Sequence, residues 1–115
     1  MKEVKSFTID RNKWLRGEGT SKSSLLRSSD GKMCCLGIYL SACGVAKDIL
    51  KNLATPASIV EKNTLPSWLK NHYLNSSIVI DLMNANDKIQ FAETDRELSI
   101  KAGFKQAGIK IRFKG

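Results

Sequence analysis

The sequence contains no apolar run that approaches the length of a membrane span, so a helical anchor is not expected. Its first residues, Met1 to Lys5, are charged and lack the apolar stretch of a secretory signal. Histidine occurs once, at His72, in the polar stretch Lys70-Asn71-His72-Tyr73, which reads as exposed. There is no Cys-x-x-Cys, so a structural zinc site, which wants about four ligands at recognisable spacings, is not expected. The three cysteines are an odd number; Cys34 and Cys35 are adjacent, a pairing that disulfide geometry strains. With Cys43 they lie in one apolar segment, which fits small core residues in a reducing cytosolic compartment.

Other absences narrow the chemistry. A Walker motif is missing, as are a nucleophile elbow and paired carboxylates beside a plausible base, so the chain is read as a binder without cofactor instead of an enzyme. No helix-turn-helix, zinc finger or aromatic-rich sheet motif is evident. Eight aromatic residues in 115 are few for a base-stacking platform. Acidic residues are the scarce charge: 11 Asp and Glu face 19 Lys and Arg, a formal charge of +8. That surplus concentrates anions at the surface, or simply keeps the protein soluble. No run of five basic residues occurs, so the charge is dispersed and does not form a tail.

What is present fits one domain around one core. At this length, folding buries roughly two thirds of the unfolded surface, and no staple is required. The patterning predicts an α+β fold: several short helices packed on a short antiparallel sheet that includes the N- and C-terminal strands. Val4 to Ile9 alternates as a strand, Asp10 caps a short helix over 11–16, and Gly17 ends it. Residues 18–24 read as a mobile loop. Asp30-Gly31 predicts a hairpin between Ser24–Arg27 and Lys32–Cys34. Helices follow over 35–43 and 47–53, with Gly44 as the first stop, and a short helix starts near Pro66. A further helix, capped by Asn75 or Ser76, runs to about Ala85 with Ile78, Val79, Leu82 and Met83 inward. Thr94 to Glu97 reads as a capping box for a helix burying Ile100, Phe104 and Ala107, ended by Gly108. The last strand, 109–113, alternates Ile109, Ile111 and Phe113 with Lys110, Arg112 and Lys114.

Four segments combine residues suited to ligand contact. Trp14 and Arg16, followed by a loop bearing Lys22, can stack a ring and pair a phosphate; equally, Trp14 can anchor the helix to the core. Arg27 and Lys32 flank the Asp-Gly turn and can form an anion nest. Asn86 continues the buried stripe of its helix and needs hydrogen bonds inside, to backbone or to a ligand; Asp87 can pair with Arg27 or Arg96. The basic face of the last strand, extended by Lys101 and Lys105, either contacts an anion or guards a sheet edge against aggregation. Trp14, Arg16, Lys22, Arg27, Lys32, Asn86 and Asp87 are the candidate ligand-binding residues.

The order Arg16-Gly17, Leu26-Arg27, Asp30-Gly31-x-x-Cys34-Cys35-Leu36-Gly37, Leu65-Pro66-x-Trp68 and Leu82 with Asn86-Asp87 resembles small bacteriophage-encoded proteins of uncharacterised function. In those, a Cys-Cys-Leu-Gly segment follows an Asp-Gly turn, and an Asn-Asp pair comes later. The likeness spans roughly Trp14 to Asp87 and implies a setting, not an activity: a phage accessory protein in the host bacterial cytoplasm. Such a protein would bind an anionic small molecule such as a cyclic nucleotide, sequestering a signal of anti-phage immunity. The alternatives are an inhibitor that binds a host protein, or a DNA- or RNA-binding protein. A monomer or a homodimer through the last strand would serve either use.

Overall fold

A computed structural model describes residues 2–70 and 77–115. Among them are two strands, β1 (Ser6–Asp10) and β2 (Lys110–Lys114), and four α-helices, α1 (Cys35–Ala42), α2 (Lys47–Leu50), α3 (Ser77–Asp87) and α4 (Glu93–Gln106). Short 3-10 turns punctuate the remaining chain, among them Arg11–Lys13, Thr20–Lys22 and Ser67–Leu69. His72 and the expected caps Asn75 and Ser76 lie outside the described residues.

The α+β class holds, but the sheet is parallel: Ser6 pairs with Lys110 and Asp10 with Lys114. Alternation is the same in both orientations, so the pattern alone carries no direction. Direction is set by what precedes β2. Helix α4 is closed by Ala107 and Gly108, whose φ of 79° turns the chain, and β2 then runs back along α4. The chain between β1 and β2 supplies the long crossover that a parallel pair requires. The inward row of the pair is Phe7, Ile9 and Ile111, with Phe113 partly buried; Ser6, Thr8, Lys110 and Arg112 face out.

Beneath the sheet lies one contiguous core. Phe7, Tyr39 and Phe104 meet with ring centroids 5.1–5.5 Å apart, joined by Leu36, Leu40, Leu82 and Ile100. Cys34, Cys35 and Cys43 are free and buried within it. Helix α3 packs on α4 where Gly103 leaves room for Leu82.

Local chemistry explains several ends. Asp10 caps the turn after β1 by accepting from Asn12 N–H at 3.0 Å, though the helical piece stops at Lys13 instead of reaching Arg16. Gly17 and Gly44 take the left-handed conformation, at φ 70° and 92°. The Asp-Gly turn forms, with Gly31 N–H donating to Arg27 C=O and Arg27 N–H to Lys32 C=O. Its flanks stay joined further out by Cys34 N–H donating to Ser24 C=O at 3.0 Å, but they form no regular strand pair; Met33 bridges to Trp14 and Leu26 to Lys51 instead. The capping box does not form either. Helix α4 starts at Glu93 after Ala92, and Glu97 is drawn to Arg11 at 2.8 Å, a stronger charged partner than its own helix end.

Candidate functional site

The seven candidate residues separate into a buried group and one that is half-buried or exposed. Trp14 and Asn86 are 2% and 1% exposed, and Asp87 is 7% exposed. Asn86 closes α3 at the centre of the molecule and uses its amide fully. Its Oδ1 accepts from Trp14 Nε1 at 2.8 Å and from Cys35 N–H at 3.0 Å. Its Nδ2 donates to Leu15 C=O at 3.0 Å and to Asp87 Oδ1 at 2.9 Å. The Asn86 and Asp87 carbonyls then accept from Gly17 and Gly19 N–H, tying the loop after Trp14 to the end of α3. Asp87 therefore bonds its neighbour's amide, and neither Arg27 nor Arg96 forms an ion pair with it.

Arg96 is the residue that sequence reasoning underrated. It is 2% exposed, pairs with Glu93, and donates from Nη1 to the Ala85 and Asn86 carbonyls at 2.8 and 3.0 Å. A cation at the negative end of α3 neutralises carbonyls that the helix leaves unpaired. The readable signal was its spacing, four residues before Ile100 and eight before Phe104, on the inward stripe of α4.

The group nearer the surface is engaged or scattered. Arg16 stacks on the Trp14 ring, its guanidinium carbon 4.4 Å from the centroid, and pairs with Glu93 at 3.1 Å. Arg27 is held between Asp30 at 2.6 Å and Glu18 at 3.1 Å, which raises its pKa further. Lys22 is exposed on its 3-10 turn, and Lys32 meets Asp30 through its backbone N–H. Arg16, Lys22, Arg27 and Lys32 line none of five concavities on the described surface, and of the seven candidates Asp87 alone lines one, beside Gly19 and Lys88.

The same turn gives a measurable titration. The Arg27 guanidinium, and then Lys32 N–H, hold the Asp30 carboxyl down from the ordinary 3.8 to about 2. A carboxyl depressed by folding stabilises the folded state above its unfolded value, and that contribution disappears as pH falls through the folded value. The contribution of Asp30 is thus complete above about pH 4 and is lost toward pH 2. An NMR titration should place the Asp30 midpoint near 2, and Arg27→Gln should return it toward 3.8. An ordinary midpoint in the wild-type protein would contradict the pairing.

The thiols offer little chemistry at the surface. Burial pushes Cys34 up to about 11 and Cys35 well above its ordinary range. Both stay protonated and shielded, as buried thiols do. Among the described residues no three His, Cys, Asp or Glu side chains cluster as metal ligands.

The basic strand face assembles differently. Helix α4 places Lys101 and Lys105 one turn apart, Gly108 reverses the chain, and β2 returns with Lys110 and Arg112 outward. Together with Ile111 these residues line a concavity of about 490 Å³ that contains no carboxylate. A second concavity, about 350 Å³, lies on the sheet face between Ser6, Phe7 and Thr8 and the same Lys110 and Arg112. The cleft between α3 and α4 is different in charge, setting Asp81 against Lys88 with Asn84, Ser99 and Gln106.

Carboxylates sort the cations. The sequence has five arginines, and Arg11, Arg16, Arg27 and Arg96 each hold an acid within 3.1 Å. Arg112 is the fifth, and among the described residues it has no acidic partner. Nor does any lysine form an ion pair there. Four of the eleven acids, Glu18, Asp30, Glu93 and Glu97, are thus held by arginines, and Lys105, Lys110 and Arg112 over α4 and β2 have no acid in ion-pair contact among the described residues. No protein-family model, curated protein or solved structure matches the chain.

Proposed function

We propose that the protein binds a phosphate-bearing anion, without transforming it, in the groove between α4 and β2. The observation that carries this reading is Arg112, the arginine without a carboxylate, in a concavity whose other charges are Lys101, Lys105 and Lys110. An arginine fork matches phosphate geometry, and no acid lines the groove itself, although Glu97 lies one turn before Lys101 on α4. The volume, about 490 Å³, suits a nucleotide-sized ligand. This moves the expected anion contact from the Asp-Gly turn, where Arg27 already has two carboxylates. In the setting that the phage resemblance implies, such a binder would sequester a nucleotide signal of host immunity.

The test is fluorescence anisotropy with a labelled nucleoside monophosphate on the wild-type protein and on Lys105→Glu/Arg112→Glu. Losing two charge-assisted contacts worth about 1.5–3 kcal/mol each should weaken binding on the order of a hundredfold to ten-thousandfold. Both side chains are exposed, so thermal stability should change little. Equal affinity in the variant, or no binding by the wild-type protein, would overturn the reading.

A further inference from the structure

Lys110 and Arg112 line both basic concavities, the groove toward α4 and the hollow on the sheet face. They form a ridge with a cationic basin on each side. Resting on the anion-binding reading, we propose that the two basins act as one site, occupied by phosphodiester-linked nucleotides that cross the ridge and set phosphates on both sides of it.

The spacing of the cations supports a ligand with repeated charge. Lys110, Arg112 and Lys114 share one face of β2, and alternate residues of a strand lie about 6.6 Å apart. Lys101 and Lys105 on α4 are separated by a rise of about 6 Å. Both steps are comparable to the distance between neighbouring phosphates of an extended oligonucleotide. A single phosphate satisfies one or two of these cations and leaves the others facing one another, whereas a chain of phosphates meets each in turn.

The sheet-face basin adds hydroxyls to cations. In the parallel register Ser6 lies beside Lys110 and Thr8 beside Arg112, both pairs facing out. Hydroxyl donors next to cations suit phosphate oxygens, which accept from both. The only acid in register with this row is Asp10, opposite Lys114 at the far end, where it caps the following turn. Neither basin is lined by an exposed aromatic side chain; Phe7 lies under the sheet face with only 8% exposure. Recognition therefore reads the phosphate backbone and not the bases, and base identity should have little influence.

One chemistry, a phosphodiester chain, has two sources: a linear single strand or a cyclic oligonucleotide. Anisotropy titrations would use thymidine monophosphate, a cyclic dinucleotide and a linear oligothymidylate of roughly ten nucleotides, within the usual single-strand site size. A multiply charged probe should bind about tenfold or more tighter than the monophosphate, with the better of the two identifying the source. The linear probe should lose affinity with salt at a logarithmic slope of about −2, as expected for three phosphate contacts. Thr8→Glu places a carboxylate in the sheet-face basin and should weaken the multiply charged probe about tenfold more than the monophosphate. Ser6→Glu repeats the test one pair along the strand should Thr8→Glu melt early. If the monophosphate binds as tightly as either larger probe, or if both variants affect all probes alike, the single-site proposal fails while the groove remains an anion site. Failure of every probe to bind would remove both.

Discussion

Asn86→Ala should lower the unfolding free energy by about 3–6 kcal/mol, since each buried polar group left without a partner costs about 1–3 kcal/mol. Four groups lose their partner together: Trp14 Nε1, Cys35 N–H, Leu15 C=O and Asp87 Oδ1. All belong to buried residues, so water cannot readily take the place of the amide. Domains of this kind hold about 5–15 kcal/mol in total, so much of the margin would go. Urea unfolding measures the effect as a lower midpoint at unchanged slope. Asn86→Asp should not rescue it. The acid keeps an acceptor for Trp14 and Cys35 but turns an oxygen toward Leu15 C=O and the Asp87 carboxylate. In a Trp14→Phe background, which removes one donor, Asn86→Ala should cost less. A loss below about 1 kcal/mol for Asn86→Ala would show that the network is dispensable.

Gly37→Ala should destabilise by about 3 kcal/mol or more, the upper range for inserting atoms into a packed core. In an exposed helix the same change gains about 1 kcal/mol, so the expected sign is itself diagnostic. Gly37 sits in the first turn of α1, where a Cβ would overlap the Leu25 carbonyl oxygen and lie 2.6 Å from its carbon. That obstacle is backbone, and Leu25 is itself fixed by its N–H bond to Leu53 C=O at 2.7 Å. Gly103→Ala is the graded comparison. Its Cβ would meet Leu82 Cδ2 at 2.6 Å, the end of a side chain that can turn aside, so the loss should be smaller. Thermal melts of the two variants check the order; a Gly37→Ala protein as stable as wild type would show that α1 can move off Leu25.

Local elements were legible because their causes are local. The strand alternation of β1 and β2, the Asp10 cap, and the glycine stops at Gly44 and Gly108 depend on residues a few positions apart. The strand direction was not legible, because it depends on how α4 hands the chain to β2. The Thr94 box failed for a related reason: Glu97 has a partner 86 residues away, which no local pattern reveals. The acids that engage two of the candidate arginines were hidden on the same ground. Arg16 and Arg27 look free in sequence, and only folding brings Glu93 and Glu18 to them. The structural use of Asn86 was legible as a polar residue on an apolar stripe; that its amide would be fully occupied was not.

The pairing of residues 6–10 with residues 110–114 also has a kinetic meaning. The partners are about a hundred residues apart, so the entropy of closing that loop must be met before the ladder gains anything. On a ribosome, β1 emerges first and waits with an unsatisfied edge while the helices gather around Asn86. Zipping of the two strands is then a late event, and the basic ridge is assembled only when the chain has otherwise collapsed.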